Sequence, residues 1–315
     1  MKRIDVSKAI EVIASCESFL LFSHEAQDGD ACGSMTALGL ALKALGKRVD
    51  YVADTNKLNL NNLLEETRFF NQYTDGYQVA ICLDCSTREY LFGNDKLSLC
   101  EKILVIDHHG SNMGYGDVNV IYPTASACAE LVYELIKALN CEITHQIAHS
   151  IYVGLITDTG NFAYSNTTEL SLKIASELYE LFDDYYLTAE FIKMKDAEII
   201  DILKIGFDNC RMFNGGKLIS AALLFRDGYS ADNVTDADIL TNTIKYINGV
   251  VVSVTIRQTG QDSFKLSMRS ADFDHDVSLF CSKYGGGGHI KAAGCTFKGT
   301  YESLMEVLED YANRL

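Results

Sequence analysis

The chain has 315 residues, of which 48% are hydrophobic and 22% are charged, and its formal net charge is −16. This composition excludes a disordered chain, a collagen-like repeat and a small disulfide-stapled fold. The negative charge excludes a broad basic surface that binds long duplex nucleic acid. At roughly 100–200 residues per domain, the length predicts two domains.

Charge is distributed unevenly along the chain. Residues 215–315 contain 10 Lys and Arg against 12 Asp and Glu, and the rest of the chain contains 17 against 31. An acidic first part and a nearly neutral second part indicate two domains with different roles. No apolar run approaches the ~18 residues of a membrane span. Ten cysteines without a signal peptide favour a cytoplasmic protein with reduced thiols, in which Cys82 and Cys85 are structural.

Strands and helices alternate along the first part of the chain. Short apolar runs predict strands, and apolar residues at helical spacing predict helices. The predicted strands are Phe19–Ser23, Arg48–Ala53, Gln78–Leu83 and Ile103–Ile106, and the predicted helices are Ala31–Leu45, Ser126–Leu139, Ile147–Thr157 and Leu170–Phe182. This alternation predicts an α/β fold with a doubly wound, mostly parallel sheet that is covered on both faces.

The second part of the chain has a different pattern. A helical stretch over Phe191–Met212 is the predicted connector. After Gly216, the predicted strands are Leu218–Phe225, Val250–Arg257 and Phe264–Arg269, and the predicted helices are Asp236–Tyr246, Val277–Tyr284 and Tyr301–Asn313. We therefore expect a first domain over residues 1–190, a helical linker over 191–214 and a smaller α/β domain over 215–315.

Polar residues follow four apolar segments of the first part. The four groups are His24–Asp30, Asp84–Ser86, Asp107–His109 and, after Ile151–Ile156, Thr157–Gly160. In a doubly wound sheet, ligands bind beyond the carboxyl ends of the strands, so these groups are expected to meet. The Ile151–Ile156 segment is either a strand or a helix whose C-terminus reaches the same place.

Asp and His side chains that meet with few thiolates favour Mn²⁺, Mg²⁺, Fe²⁺ or Zn²⁺. Asp28 and Asp30 are separated only by Gly29, so their carboxylates repel each other unless a cation lies between them. A pair of cations roughly 3.5–4 Å apart, which share one Asp, would satisfy the whole set. The alternative is that each residue is only a cap or turn residue, which would be enough to explain Asp28-Gly29 or Asp107 taken alone. Four such groups at four segment ends favour the metal site.

Asp107-His108-His109 resembles the signature triplet of the DHH phosphoesterases. Segments 23–34, 83–86 and 157–162 resemble other motifs of that family, and segment 285–294 resembles the glycine-rich motif of its DHHA1 domain. These five motifs follow the family's order over nearly the whole chain. The resemblance implies a DHH domain followed by a DHHA1 domain. Length and layout are similar to the branch that degrades short RNA oligomers and removes a phosphate from PAP (3′-phosphoadenosine 5′-phosphate).

The resemblance also implies a role for individual residues. Two cations, most often manganese in this family, would be held by His24, Asp28 and Asp84, and by Asp30, Asp84, His108 and Asp158. The implied catalytic residues are Asp84, which would bridge the cations, and His109, which would face the substrate phosphate. Asp107 would orient a histidine from outside the ligand set. Substrate-binding residues of the second domain would be Arg269, Gly286, Gly287, Gly288 and His289.

The implied reaction is hydrolysis of short RNA oligomers, PAP, or dinucleotides such as pApA or cyclic di-AMP. The cations would lower the pKa of a water between them, so that hydroxide is available near neutral pH. A RecJ-like single-strand exonuclease and an exopolyphosphatase or pyrophosphatase would share this metal site. A non-catalytic nucleotide sensor is disfavoured, because all the expected ligands are present. One or two of the 17 tyrosines could stack on a base, but the sequence does not indicate which. A homodimer is compatible with the sequence.

Overall fold

The computed structural model describes residues 4–25, 27–54, 64–183, 185–195, 197–230 and 238–315. The chain divides into two compact units, Met1–Met194 and Lys195–Leu315. Each unit has its own sheet and its own helices. The predicted α/β fold class is therefore confirmed.

The first unit is built around a parallel sheet. Its strands are β1 (Ser18–Phe22), β2 (Arg48–Val52), β3 (Tyr77–Leu83), β4 (Cys100–Asp107) and β5 (Val118–Ile121). Its helices are α1 (Ser7–Ser15), α2 (Gly29–Ala44), α3 (Cys128–Ala138), α4 (His145–Asp158), α5 (Glu169–Tyr179) and α6 (Tyr185–Lys193). The strand order is β2-β1-β3-β4-β5, and every neighbouring pair is parallel.

Both faces of this sheet are buried, as is usual for parallel sheets. Successive side chains of a strand point to opposite faces. Phe19 and Leu21 of β1 pack with the helices, whereas Leu20 and Phe22 belong to a second cluster that includes Leu91. That second face is covered by the segment between β3 and β4, which contains short 3₁₀ turns.

The strand order reverses at β1. Strand β2, which follows β1 in the chain, pairs with one edge of β1, and β3 pairs with the other edge. In open α/β sheets, ligands bind beyond the carboxyl ends of the strands at such a reversal. His24 follows the end of β1 and Asp84 follows the end of β3, so the topology places both residues at this point.

Helices α2 and α4 pack closely because glycines lie at their contact. A Cβ on Gly33 would lie 2.3 Å from the backbone oxygen of Ser150, and a Cβ on Gly29 would lie 2.3 Å from the Thr157 side chain. These contacts place the beginning of α2 beside the end of α4. Asp30 and Asp158, one at each of these helix ends, are brought together in this way.

The second unit contains a mixed sheet. Its strands are β6 (Arg211–Phe213), β7 (Leu218–Leu223), β8 (Val252–Gly260), β9 (Ser263–Ser270), β10 (Gly287–His289) and β11 (Ala292–Lys298), and its helices are α7 (Ile199–Asp208), α8 (Asp238–Lys245), α9 (Val277–Ser282) and α10 (Tyr301–Ala312). The strand order is β10-β11-β9-β8-β7-β6, in which β7 and β8 are parallel and the other pairs are antiparallel.

The stretch predicted as one helix over Phe191–Met212 contains the end of α6 at Lys193 and the whole of α7. Ile199 and Ile202 of α7 are buried in a cluster with residues of β7. Helix α7 therefore contributes to the core of the second unit. None of the helices in the described ranges is both long enough and apolar enough to cross a bilayer.

Candidate functional site

The predicted metal ligands of the first unit lie close together. Three groups of side chains have ligand atoms within 4.8 Å of one another: His24, Asp28 and Asp84; Asp30, His108 and Asp158; and Asp84, His108 and His109. The residues come from the carboxyl ends of β1, β3 and β4, from the start of α2 and from the end of α4. The apolar segment before Asp158 is helical, which was the second of the two predicted alternatives.

Asp84 belongs to two of these three groups. Its Oδ2 is 3.7 Å from Nε2 of His24, and its Oδ1 is 3.4 Å from Nε2 of His108. The residue is 2% exposed and has a φ of 52°, a left-handed conformation that is uncommon outside glycine. Its backbone N–H donates to Ile106 at 3.1 Å, which holds this conformation at the end of β3.

Oδ1 of Asp84 is buried and has no hydrogen-bond partner among the described residues. A buried carboxylate oxygen without a donor is costly unless another group satisfies it. The neighbouring atoms are carboxylate oxygens and imidazole nitrogens, a donor set that suits Mn²⁺, Mg²⁺, Fe²⁺ and Zn²⁺. The residues present therefore fit divalent cations.

The start of α2 fixes the positions of the Asp28 and Asp30 carboxylates. Oδ1 of Asp28 accepts hydrogen bonds from the backbone N–H groups of Asp30 and Ala31, at 3.0 and 3.1 Å. Asp30 is fully buried and accepts from the N–H groups of Cys128 and Ala129, the first residues of α3, at 2.5 and 2.9 Å. Asp30 thus orders the start of α3, while its Oδ2 stays 3.7 Å from Nε2 of His108.

The His108 ring is oriented by a backbone carbonyl. Its Nδ1 lies 3.3 Å from the oxygen of Ala125, and its Nε2 lies 3.2 Å from Oδ2 of Asp158. Metal-binding histidines usually donate one ring N–H to such an acceptor and bind the ion through the other nitrogen. This arrangement leaves Nε2 of His108 directed at the carboxylates.

Asp107 contacts His109. Its fully buried carboxylate accepts from Nδ1 of His109 at 2.8 Å, from the His108 backbone N–H at 2.8 Å and from Nδ2 of Asn112 at 2.6 Å. Asn112 fixes the Asp107 carboxylate and was not predicted, since a single Asn in a loop carries no sequence signal. Nδ1 of His109 also lies 3.6 Å from Oδ1 of Asp84.

The electrostatics of the cluster reflect its burial and its negative charge. Asp28 has a side chain that is 54% exposed to the cleft, and desolvation by the cluster together with the charges of Asp84 and Asp158 raises its pKa to about 6. Burial lowers the pKa of His24, but the Asp84 and Asp28 carboxylates outweigh burial and raise the value to about 9. For His108, the adjacent Asp158 and Asp84 carboxylates likewise outweigh burial and raise the pKa to about 12. Protons thus balance part of the carboxylate charge when no cation is bound.

The cluster lines a cleft of about 280 Å³ in the first unit. Its lining contains His24, Glu25, Asp28, Asp84, Cys85, Ser86, Tyr90, His108, His109 and Asp158. Asp30 and Asp107 lie beneath this surface, since both are fully buried. Tyr90 was not singled out in the sequence, because nothing in its neighbourhood distinguishes it from the other tyrosines.

The residues predicted to bind substrate in the second unit lie on neighbouring strands. His289 of β10 is paired with Ala292 of β11, and Ala292 is paired with Arg269 of β9. Paired residues share a face of the sheet, so His289 and Arg269 flank a small alanine on one face. Gly287 and Gly288 form the rest of the edge strand β10.

Close strand contacts require glycine at two of these positions. A Cβ on Gly286 would lie 2.1 Å from the backbone oxygen of Gly294, and a Cβ on Gly288 would lie 2.4 Å from that of Ala292. Two lysines, Lys245 and Lys291, add positive charge near Arg269. Burial, Lys291 and Arg269 together lower the pKa of Lys245, a residue that the sequence analysis did not identify.

Two further pairs of possible metal ligands, one of cysteines and one of histidines, lie outside the cluster. Cys82 and Cys85 are buried free thiols, and burial raises the pKa of both. His145 and His149 lie on α4, where their ring centroids are 6.1 and 5.6 Å from that of Phe182.

The fold and the Asp–His cluster at the carboxyl edge of the parallel sheet define an α/β protein with a candidate divalent-metal centre. The chain belongs to the DHH family, as its motifs predicted: residues 18–155 match the family's N-terminal domain. It is also 31% identical over 316 residues to the bifunctional oligoribonuclease and PAP phosphatase NrnA of Thermus thermophilus, an alignment that covers 96% of this chain and 93% of that protein.

Two other similarities extend over the whole length. The bifunctional oligoribonuclease and PAP phosphatase NrnA of Bacillus subtilis is 27% identical over 318 residues, with 96% of each chain covered. The crystal structure of an exopolyphosphatase-related protein from Bacteroides fragilis superimposes with a TM-score of 0.85 at 22% identity, and covers 100% of this chain and 98% of that one. The latter similarity supports the fold.

Proposed function

We propose that this protein is a metal-dependent phosphoesterase that hydrolyses short oligoribonucleotides and PAP. The observation that carries the proposal is the Asp84 carboxylate: its buried Oδ1 has no hydrogen-bond partner among the described residues and lies 3.4 Å from Nε2 of His108, and its Oδ2 faces His24. Two relatives that align over more than nine-tenths of the chain are named oligoribonucleases and PAP phosphatases. Related dinucleotides such as pApA and cyclic di-AMP fall within the same substrate class.

The proposed ligands form two sets that share Asp84. His24, Asp28 and Asp84 would hold one cation, and Asp30, Asp84, His108 and Asp158 would hold the other. Manganese is the proposed ion because the family resemblance implies it, and the carboxylates and imidazoles of the set suit it as they suit Mg²⁺, Fe²⁺ and Zn²⁺. When bound, a pair of divalent cations lowers the pKa of a water nucleophile and neutralises charge on the phosphoryl oxygens.

His109 is the proposed catalytic partner of the cluster. Because Nδ1 of His109 donates to Asp107, the other ring nitrogen is free for the substrate. From this position the imidazole donates a hydrogen bond to the phosphate or a proton to the leaving oxygen. Asn112 holds the Asp107 carboxylate, so the orientation of the His109 ring is fixed before substrate binds.

The second unit is the proposed binding domain for the rest of the substrate. Arg269 and His289 supply donors on one face of its sheet, and Gly286, Gly287 and Gly288 allow the backbone to approach an anion. With a net charge of −16, the chain is not expected to have the broad basic surface that a long nucleic acid needs, which agrees with short substrates. All ten cysteines are free thiols, which supports a cytoplasmic location. A homodimer stays a prediction.

A substrate panel tests the proposal. Purified protein is incubated with Mn²⁺ and PAP, pApA, a long single-stranded RNA or pyrophosphate, and EDTA serves as the metal-free control. We expect release of phosphate from PAP and of mononucleotide from pApA, and no turnover in EDTA. Preferential cleavage of the long RNA would favour a RecJ-like exonuclease instead. Turnover of pyrophosphate alone would favour a pyrophosphatase, and either result would overturn the proposal.

A further inference from the structure

Tyr90 carries a ring at the mouth of the candidate site. It lines the same cleft as the proposed metal ligands, and its side chain is 64% exposed. Apart from the three histidines, no other described residue of this lining has a ring. The neighbouring lining residues Cys85 and Ser86 are small. A flat apolar group that enters the cleft would therefore find one large surface to pack against.

The backbone that carries Tyr90 is fixed next to His24. The backbone oxygen of Tyr90 accepts from the N–H of Glu25 at 2.8 Å, and His24 forms an isolated antiparallel bridge with Leu91. The N–H of Phe92 donates to Ser23 at 3.0 Å. These bonds tie the segment that carries Tyr90 to the chain that leaves β1.

Leu91 anchors this segment from below. It is 1% exposed and belongs to the cluster that covers one face of the parallel sheet. With Leu91 buried and Tyr90 exposed, the segment cannot rotate without exposing a leucine to water. Because the main chain is held in advance, the tyrosine ring loses little freedom when it contacts a ligand.

The charge of the lining indicates what the ring contacts. The described lining contains carboxylates and imidazoles but no lysine or arginine. Cations at the cluster would hold a phosphate group, and the carboxylates repel further anionic groups of the ligand. An uncharged planar group next to the phosphate fits the Tyr90 ring, since every nucleobase has a face that stacks on aromatic side chains.

We infer that Tyr90 is a specificity-determining residue, which stacks on the nucleobase of the nucleotide whose phosphate lies at the Asp–His cluster. The inference rests on the proposed function and narrows it. Within the first unit, Tyr90 favours phosphates that carry a base over inorganic phosphate chains and base-free sugar phosphates. Stacking tolerates any base, so the selection acts on the presence of a base and not on its identity.

Binding of AMP and of ribose 5-phosphate to the Mn²⁺-loaded protein tests this inference, since the two ligands differ only in the base. Calorimetry compares the wild type with Tyr90→Ala and Tyr90→Phe. We expect Tyr90→Ala to weaken AMP binding about 10-fold and to leave ribose 5-phosphate binding unchanged, because only AMP stacks. Tyr90→Phe keeps the ring and should bind both ligands like the wild type.

A matched control is Tyr186→Ala, which removes an exposed tyrosine of α6 that does not line the cleft. It should change neither affinity. Unchanged AMP binding in Tyr90→Ala would overturn the inference, and so would equal weakening of AMP and ribose 5-phosphate. Loss of AMP affinity in Tyr90→Phe would overturn stacking in favour of a hydroxyl contact.

Kinetics separate this inference from the proposed function. With PAP as substrate, Tyr90→Ala should raise KM about 10-fold and leave kcat unchanged, because the ring binds ground state and transition state alike. A wild type that hydrolyses PAP while Tyr90→Ala has an unchanged KM contradicts the inference alone. A wild type that hydrolyses no nucleotide contradicts the proposed function, and the AMP comparison still decides the role of Tyr90.

Discussion

Oδ1 of Asp84 lies 3.4 Å from Nε2 of His108, and this oxygen has no hydrogen-bond partner among the described residues. The other oxygen of the same carboxylate lies 3.7 Å from Nε2 of His24. Asp84 follows β3 and thus faces His24, which follows β1, and His108, which follows β4. Strands β1 and β4 are the two neighbours of β3 in the sheet. Asp84 is consequently the side chain that the proposed metal centre depends on most.

Replacement of Asp84 by Asn should lower kcat for PAP by about 10³-fold, because a shared ligand positions both cations. The amide keeps the size of the side chain, so folding is preserved. Asp95→Asn is a matched control, since Asp95 is an exposed aspartate that lies outside the cleft. Retention of full turnover by Asp84→Asn would contradict the shared-ligand role.

Asp30 and Asp158 should differ in their effect on stability. Asp30 accepts from two buried N–H groups at the start of α3, whereas the Asp158 side chain is partly exposed and faces His108. In metal-free protein, Asp30→Ala should lose about 1–3 kcal/mol of unfolding free energy more than Asp158→Ala. Urea denaturation of the two variants in EDTA provides the comparison. Equal urea midpoints for the two variants would show that the contacts of Asp30 with α3 do not stabilise the fold.

Metal binding should release protons. His24 has a pKa raised to about 9 and Asp28 one raised to about 6, so both compete with cations through bound protons. A ligand histidine must be neutral, so Mn²⁺ binding at neutral pH expels the His24 proton. Affinity for Mn²⁺ should therefore rise between pH 6 and pH 9. Calorimetry of Mn²⁺ binding in buffers of different ionisation enthalpy counts the protons released. A binding enthalpy that is the same in every buffer would refute this expectation.

Close packing of α2 on α4 should be needed for metal affinity. A Cβ on Gly33 would clash with the Ser150 carbonyl at 2.3 Å, so Gly33→Ala must push the two helices apart. We expect a loss of about 1–3 kcal/mol in unfolding free energy, as for other overpacked contacts. Weaker Mn²⁺ binding should accompany it, because Asp30 and Asp158 separate. Gly260→Ala, where the nearest contact is 3.4 Å, is the control that should change neither property.

The strands that carry the site were predictable from the sequence. Apolar runs followed by Asp or His fall on β1, β3 and β4, because the buried middle of a parallel strand is apolar and polar residues resume where the strand ends. The segment before Asp158 stayed ambiguous, since Ile151, Val153 and Leu155 are all buried. A helix that is buried on every side shows no polar face, and so loses its helical period.

Other features were not predictable for identifiable reasons. Strand β5 has four residues, and β11 contains small residues that conceal the alternation of Ala293, Cys295 and Phe297 towards the core. Tyr90 and Asn112 act through contacts with residues that are distant in sequence or in a loop, and such contacts leave no periodic pattern. The cluster was inferred from motifs, whereas these supporting contacts required coordinates.

The central claim is that His24, Asp28, Asp30, Asp84, His108 and Asp158 hold a pair of divalent cations. Anomalous diffraction from crystals of the protein grown with Mn²⁺ measures this directly. The account predicts two peaks roughly 3.5–4 Å apart, with Asp84 contacting both. A map with manganese bound elsewhere and no peak between Asp84 and the two histidines would contradict the account.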